Sequence, residues 1–533
     1  MPRLPIEQRP TSPSFAAKTC QMDSYNNTTQ YLGSGLMNQA PDSLAPYALV
    51  TLLAVIAYWS QFTQPKNLLN PRKTFEFSNI PRLKRYMENS NSLNTLAAGA
   101  ARYVGKPYRL FCEWGELTIL PPQMIDEIKN DKRFDFGAAA SDDNHAYIPG
   151  FGALMHDPVM PKVIGRHLTK ALAKLTSPLS DEAALVMQSV ITDSTEWHML
   201  NLNEDISTIV SRMSSRVFMG EELCRDEGWN NASAYYTRKT FEAMMILCVV
   251  PRWLRPYIHW VLPQCREVRR ALTAARKELN PHIERRERIK AEALARGEKS
   301  PFDDAIEWFA QSGSELPPAD CQIALTLAAI HTTTDLLSQT MVDIATYPEM
   351  FTALREEIIR VLSEQGLKKT ALADLKLMDS FLKESQRMKP ILIGWRRRAL
   401  EDVTLSNGTT VKKGNKVVVT ATHMWSDENY NNAKTFDPYR FVPREKEQMS
   451  YLVNTSANHL GFGHGLHSCP GRWFASNEVK IALCHLLLKY DWKLVDGKRP
   501  DPVAFGMAYV TNPEAKLLIR RRTEELDLST LEY

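Results

Sequence analysis

The stretch 462–471, the cysteine loop, combines a cysteine with closely spaced glycines and is the part of the sequence best suited to chemistry. Gly463 and Gly465 predict an irregular loop whose backbone can pass close to a flat group. Cys469 precedes Pro470, where a helix is predicted to begin, so helical N–H groups favour its thiolate. A thiolate presented from such a loop suits an axial ligand of haem iron, and a small buried cysteine in a turn is the alternative.

A second candidate lies at 325–334, inside a helix predicted from about 319 to 344. Consecutive hydroxyl residues are unusual in the middle of a helix, where their hydroxyls can bond the carbonyl four residues earlier. A groove of small residues beside Thr332 and Thr333 leaves room for dioxygen and a water. His331 precedes them, and an imidazole can carry protons near neutral pH. The alternative is that the threonines only pack.

Two further motifs contain charged residues that could pair. Glu384 and Arg387 are three residues apart in a predicted helix and therefore share a face. Such a pair is common on surface helices and has little weight alone. Arg440 follows in the sequence Phe-Asp-Pro-Tyr-Arg-Phe and supplies a possible third member.

Taken together, these motifs resemble those of the cytochrome P450 family. The sequence Phe-Gly-His-Gly-Leu-His-Ser-Cys-Pro-Gly in the cysteine loop fills every fixed position of the family signature Phe-Gly-x-Gly-x-His-x-Cys-x-Gly. The other motifs follow in the family's order and cover nearly the whole chain after residue 65. The amino-acid sequences around 378–387 and 473–480 are similar to those of fungal enzymes of secondary metabolism such as ent-kaurene oxidase.

The resemblance implies a role for several residues. Cys469 would bind the iron of haem b, and Glu384, Arg387 and Arg440 would form a buried structural network beneath the cysteine loop. Thr332 matches the threonine that supports proton delivery, although His331 replaces the family's usual acidic residue. The predicted catalytic residues are Thr332, His331 and Thr333. The predicted cofactor-binding residues are Phe462, Gly463, His467, Gly471, Arg396 and Arg398.

Haem propionates are anionic and need basic partners. His467 is the best candidate, and the family places a propionate-binding arginine in the region of the three arginines 396–398. The sequence does not choose among those three. The family's Trp-x-x-x-Arg element is missing near residue 166, where Arg166 or His167 could substitute.

Composition excludes several classes of protein. With 44% hydrophobic and 24% charged residues among 533, the chain is neither disordered, nor collagen-like, nor a multi-span membrane protein. The net charge of +4 is spread along the chain, which argues against nucleic-acid binding. The eight cysteines form no CxxC pair, so neither a disulfide scaffold nor a structural zinc site is expected.

Helical patterns dominate from about residue 75 onward, with strand-like runs near 108–120 and 402–421 and a weak pair near the C-terminus. Asn407-Gly408 between alternating runs predicts a hairpin. The fold class expected is mainly α, a cytochrome P450 fold with a large helical domain and small β-sheets, preceded by one transmembrane helix. About 460 residues without a boundary is long for a single core.

The N-terminal region is predicted to divide in two. Residues 1–42 are polar and without periodicity, so we expect a disordered lumenal tail. Residues 43–65 carry no charge and could cross a membrane once, a buried core helix being the alternative. The positive charges that follow place the haem domain, 66–533, in the cytosol at the endoplasmic reticulum membrane. Sequons at Asn26 and Asn27 could then be glycosylated.

The activity expected is that of a monooxygenase acting on a small apolar substrate, a terpenoid or related fungal metabolite. No Rossmann glycine fingerprint appears, so NADPH-cytochrome P450 reductase is the expected electron donor. Substrate contacts are expected from four segments: 147–155, 325–331, 391–394 and 505–509. The apolar run 244–254 could be a lid touching the membrane or plain core.

Two other functions remain open. One is a haem-thiolate isomerase, lyase or ring-rearranging oxidase acting on a polyketide or alkaloid intermediate. The other is a non-catalytic haem protein, such as a sensor or carrier.

Overall fold

The computed structural model describes residues 47–48, 50–52, 54–55, 64–65, 67–73, 76, 78–443 and 448–532. Its contacts divide the chain into two compact units, Met1–Phe62 and Thr63–Tyr533. The predicted tail with both sequons and most of the predicted anchor 43–65 lie outside the described residues. Within the described residues, no helix has both the length and the apolar character needed to cross a bilayer.

Helices make up most of the second unit, as predicted. The α-helices span Ile80–Met87, Asn91–Arg102, Ile125–Ile128, Phe136–Asp143, Met160–Val163, Thr169–Val190, Leu202–Cys224, Glu227–Leu247, Arg255–Ile258, Pro263–Ala295, Ala305–Gln311, Pro318–Thr346, Glu349–Gln365, Lys369–Asp374, Lys376–Met388 and Arg472–Lys489. Three of them position the candidate site: the central helix (Pro318–Thr346), the motif helix (Lys376–Met388) and the C-terminal helix (Arg472–Lys489).

The strands form small sheets at the side of the helices. They are β1 (Tyr108–Cys112), β2 (Gly115–Ile119), β3 (Phe134–Asp135), β4 (His198–Asn201), β5 (Gly394–Ala399), β6 (Val403–Thr404), β7 (Thr410–Val411), β8 (Lys416–Thr420), β9 (Tyr490–Leu494), β10 (Val503–Phe505), β11 (Ala508–Val510) and β12 (Lys516–Arg521). The largest sheet has the order β1-β2-β8-β5-β3, and β4-β12-β9 forms a second one. The remaining pairs are β10-β11 and β6-β7. The predicted hairpin is confirmed, because β6 and β7 pair antiparallel around Gly408, whose φ is 81°.

The described part of the second unit contains two hydrophobic clusters, which explains how so long a stretch folds without a linker. The larger one lies among the helices and includes Leu337 and Phe381. The smaller one lies between β1, β2, β5 and β8 and includes Val418 and Met507. Two cores within one compact unit remove the size problem that the sequence posed.

The central helix has clear sequence reasons for its bounds. Pro318 occupies its first turn, where the missing N–H costs nothing, and Pro348 follows its end and disfavours continuation. Residues 336–345 are all buried, as expected for a helix that passes through the middle of the larger cluster.

Candidate active site

Cys469 lies at the end of the cysteine loop with its side chain partly open. Six of the seven described cysteines are buried, and Cys469 alone is not. Its N–H donates to the carbonyl of Phe462 over 2.8 Å, which closes the loop. The C-terminal helix begins at Arg472 with Gly471 as N-cap, two residues later than predicted.

Burial is the largest influence on the Cys469 thiol and raises its pKa. Hydrogen bonds from the backbone N–H groups of Gly471 and Arg472, and the Arg472 charge, act in the opposite direction. The predicted effect of the helix terminus is therefore present but smaller than the cost of desolvating a thiolate. A cation bound to the sulfur would stabilise the thiolate further, in the same direction as these donors.

The glycines of the loop are required by neighbouring protein atoms. Gly463 and Gly465 have φ angles of 67° and 78°, a region that glycine enters without strain. A Cβ on Gly465 would collide with the carbonyl of Lys129, and one on Gly461 would collide with the side chain of Gln386. The loop is therefore held against the motif helix and the end of the Ile125–Ile128 helix.

The predicted ion network under the loop is confirmed. Arg387 donates to both carboxylate oxygens of Glu384 over 2.7 and 2.8 Å, and Arg440 Nε lies 3.0 and 3.1 Å from them. The Arg440 guanidinium also donates to the carbonyls of Asn431 and Thr435 over 2.7 and 2.9 Å. Glu384 and Arg387 have no exposed surface, so each charge depends on its partner.

The central helix presents one open face in an otherwise buried stretch. Ala328, His331 and Thr332 are exposed and share a face, whereas Thr333 is buried. The Thr332 hydroxyl donates to the carbonyl of Ala328 over 2.9 Å, which is the predicted backbone bond. The helix therefore separates Thr333 from the other two predicted catalytic residues.

His331 lies on the open face of the central helix, next to Phe241. Its ring meets the ring of Phe241 edge-on, with centroids 5.9 Å apart and an interplanar angle of 85°. Desolvation by the surrounding protein lowers the pKa of His331. The imidazole is therefore neutral at physiological pH.

Arg396 and Arg398, the two predicted propionate partners, share a face of β5 that carries acidic neighbours. Arg396 Nε lies 2.8 Å from the Asp143 carboxylate, and Arg398 lies 3.9 Å from that of Asp142. Lys416 pairs with both carboxylates. These two arginines are thus engaged in a sheet-side ion cluster.

Arg397 lies on the other face of β5, because side chains alternate along a strand. It is buried, and its Nη2 donates to the carbonyl of His464 in the cysteine loop over 3.2 Å. Its Nε has no hydrogen-bond partner among the described residues. Burial lowers the pKa of Arg397 to about 9. The alternation of side chains along a strand predicts that Arg397 lies on the opposite face from Arg396 and Arg398. Which of the two faces lies against the cysteine loop depends on the fold.

His467 belongs to the same cluster as Arg397. Its Nε2 lies 3.5 Å from the Asp135 carboxylate. Burial is the main cause that lowers the pKa of His467, and the charge of Arg397 acts in the same direction. Two basic side chains therefore meet beside the cysteine loop.

The segment proposed to replace the missing tryptophan motif has divided roles. Arg166 is exposed, and His167 stacks on Trp308 with centroids 5.9 Å apart. Ile164 lies against Gly471 at the start of the C-terminal helix. Stacking directs His167 toward Trp308, which leaves Arg166 as the freer cation of the pair.

Two of the predicted substrate segments pair with each other. The N–H of Ile393 donates to the carbonyl of Met507 over 2.8 Å, and the N–H of Tyr509 donates to that of Ile391 over 2.9 Å. Segments 391–394 and 505–509 thus form one continuous wall.

The segment 147–155 and the run 244–254 have mixed surroundings. Tyr147 and Met155 line a cavity of about 340 Å³ together with Arg252 and Arg398. In the run 244–254, Leu247 is buried whereas Trp253 is 72% exposed, so the run begins as core and ends as surface.

The residues present fit haem. A partly open thiol with two N–H donors lies in the cysteine loop, and a buried arginine with an unused donor lies beside it. The central helix keeps an open face of small and hydroxyl residues. A soft anionic ligand, a partner for carboxylates and open space are what an iron porphyrin requires.

Comparison with known proteins agrees with this fit. The cytochrome P450 family model matches residues 71–519. Cytochrome P450 monooxygenase eqxH from Fusarium heterosporum is 50% identical over 488 residues, 90% of this chain and 95% of that protein. Cytochrome P450 monooxygenase 1 from Gibberella fujikuroi is 43% identical over 434 residues, 79% of this chain and 99% of that protein.

A solved structure supports the same fold. The heme domain of cytochrome P450DA has a TM-score of 0.65 and 16% identity, covering 85% of this chain and 96% of that one. The two relatives by sequence are fungal, as the resemblance predicted. Because the family model and these relatives span most of its length, this chain belongs to the cytochrome P450 family of oxidoreductases, whose haem iron is bound by a cysteine thiolate.

Proposed function

We propose that this protein is a haem-thiolate monooxygenase that oxidises a small apolar intermediate, a terpenoid or related fungal secondary metabolite. The observation that carries the proposal is that the unit which holds the partly open Cys469 also has an open face on its central helix. One supplies a thiolate, and the other leaves room for oxygen and substrate.

Cys469 is the proposed iron ligand, with Phe462, Gly463 and Gly471 shaping the loop around it. His467 and Arg397 are the proposed propionate partners, since His467 lies in the cysteine loop and Arg397 donates to the carbonyl of His464 in the same loop. Arg396 and Arg398 are less suitable because their side chains pair with Asp143 and Asp142. Haem held by these residues would supply the activation of dioxygen: with two electrons from the reductase and two protons, one oxygen atom would enter a C–H bond of the substrate and the other would leave as water.

Thr332 and His331 are the proposed proton-handling residues. The Thr332 hydroxyl donates to the Ala328 carbonyl, so its oxygen remains free to accept a hydrogen bond from a water in the cavity. The neutral imidazole of His331 can accept a proton on one nitrogen and release one from the other. Thr333 is buried on the other side of the helix, which supports a packing role for it.

The electron donor and the location in the cell are the remaining parts of the proposal. We propose NADPH-cytochrome P450 reductase as the donor and the endoplasmic reticulum membrane as the site, with 43–65 as a single anchor and 66–533 in the cytosol. Four large apolar side chains that are exposed and close together in sequence support contact with a membrane. They are Trp253, Tyr257, Trp260 and Val261.

The test is the carbon-monoxide difference spectrum of the reduced protein, with wild type beside Cys469→Ala. We expect a far-red-shifted Soret band that is lost in Cys469→Ala and kept in Cys265→Ala, a buried cysteine remote in sequence. Haem binding without that band in wild type would overturn the thiolate assignment. Product formation without NADPH and reductase would instead favour the isomerase alternative.

A further inference from the structure

The wall formed by 391–394 and the β10–β11 hairpin (503–510) depends on a residue outside both segments. Leu392 and Phe505 are large apolar side chains, 41% and 44% exposed, on these two paired segments. Under the proposed function, on which this inference rests, they contact substrate. Their positions are set by how the hairpin is fastened.

Glu113, in the turn between β1 and β2, is bonded to the tip of that hairpin. Its Oε1 accepts the N–H of Met507 over 2.8 Å. Its Oε2 is buried and has no hydrogen-bond partner among the described residues, although the residue as a whole is partly exposed. A Cβ on Gly506 would collide with this carboxylate, and the φ of Gly506 is 62°. The turn of the hairpin is therefore shaped around the Glu113 side chain.

The same β1–β2 turn also reaches the other half of the wall. A Cβ on Gly394 would lie 3.3 Å from the Trp114 ring and 3.4 Å from Met507 Sδ. The guanidinium carbon of Arg396 lies 4.1 Å from the centroid of the same ring. Glu113 and Trp114 thus touch both paired segments at the point where they meet.

We infer that Glu113 is the positioning residue of the substrate wall: its carboxyl group sets the place of the β10–β11 hairpin, and with it the shape available to a bulky substrate. The residue acts through Met507 and Gly506 and does not itself contact the substrate.

The electrostatics give this fastening a pH dependence. Burial raises the pKa of Glu113 to about 7, Asp143 acts in the same direction, and the Met507 N–H and Arg396 oppose it. Other titratable neighbours are Tyr86, Cys112 and Cys248, whose own pKa values are raised by burial, so they stay neutral.

The sign of the pH effect follows from where the carboxylate is better hydrated. An open hairpin would let water reach Glu113 and return its pKa toward the ordinary value of 4.5. Ionisation is therefore linked to opening. The preference for the closed hairpin is fully present below the open-state pKa of about 4.5 and is lost as the pH rises from there through about 7.

Two azoles of different size test the inference on the haem-loaded protein. Imidazole needs little space beyond the iron, whereas clotrimazole must fit against the cavity walls. We expect Glu113→Ala to weaken clotrimazole about three- to tenfold, the loss of one buried hydrogen bond, and to leave imidazole unchanged. Exchange of the Met507 amide should become faster in the same variant.

Glu113→Gln is the matched control, because it keeps the acceptor and cannot ionise. Each affinity is calculated for the neutral azole, because the azoles also titrate in this range. On that basis the wild-type preference for clotrimazole over imidazole should decline between about pH 6 and about pH 8, and Glu113→Gln should abolish that decline. An unchanged azole ratio in Glu113→Ala, or a wild-type pH decline in Glu113→Gln, would overturn the inference. If neither azole shifts the wild-type spectrum, the haem site itself is wrong, which is a separate failure.

Discussion

On the cysteine side of the site, Glu384, Arg387 and Arg440 are paired atom by atom, and the loop glycines lie against neighbouring protein. On the central-helix side, His331 and Thr332 face open space. In the first arrangement each charged group depends on a fixed partner, which suits a region that holds a cofactor. The second leaves room that different substrates can fill.

The largest effect should come from breaking the paired side. Glu384→Gln removes the charge that two buried guanidinium groups share, and we expect a loss of about 3–5 kcal/mol in the free energy of unfolding. Urea unfolding measures it. The control is Asp402→Asn, whose partner Lys412 lies 2.8 Å away in an exposed pair and whose loss should cost under about 1 kcal/mol. Equal costs for the two variants would contradict the comparison.

An intermediate effect is expected on the open side. Thr332→Ala removes the cavity-facing hydroxyl and should lower product formed per NADPH about ten- to a hundredfold, with peroxide released instead. The measurement uses any substrate identified by feeding candidate intermediates to a host that carries the gene. Thr333→Ala is the matched control because Thr333 is buried beside it. If both variants lost a similar share of product per NADPH, the position of a threonine on the exposed face would not decide its role in catalysis.

The smallest effect should separate the two faces of β5. Arg397→Gln removes the cation beside the cysteine loop and should weaken haem retention about tenfold, the value of one hydrogen bond to a charged group. Arg398→Gln, on the sheet-side face, should leave retention unchanged. Transfer of haem to apomyoglobin measures both. If Arg398→Gln weakened haem retention more than Arg397→Gln, Arg398 would be the propionate partner.

Short motifs gave reliable predictions where the partners are close in sequence or fixed by a pattern. The Glu384 and Arg387 pair follows from helical spacing, and the hairpin at Gly408 follows from turn chemistry. Both depend on local geometry, which a sequence states directly. The central helix was likewise predicted within two residues of its bounds, because proline marks both ends.

Other features needed the fold. The sequence of β5 shows three arginines in a row, but only the pairing of β5 between β8 and β3 decides that Arg397 faces the cysteine loop. The pKa of the Cys469 thiol depends on desolvation by distant segments and not on the helix terminus alone.

The sequence by itself determined the cofactor chemistry, the buried ion network and the mainly helical fold, because each is written in residue types at short spacing. Tertiary structure alone decided which side chains of the central helix and of β5 face the site, and that Glu113 meets the hairpin 394 residues later in the chain. Whether a side chain is buried, and which way it faces, depends on contacts between segments that are remote in sequence, so no local pattern predicts it.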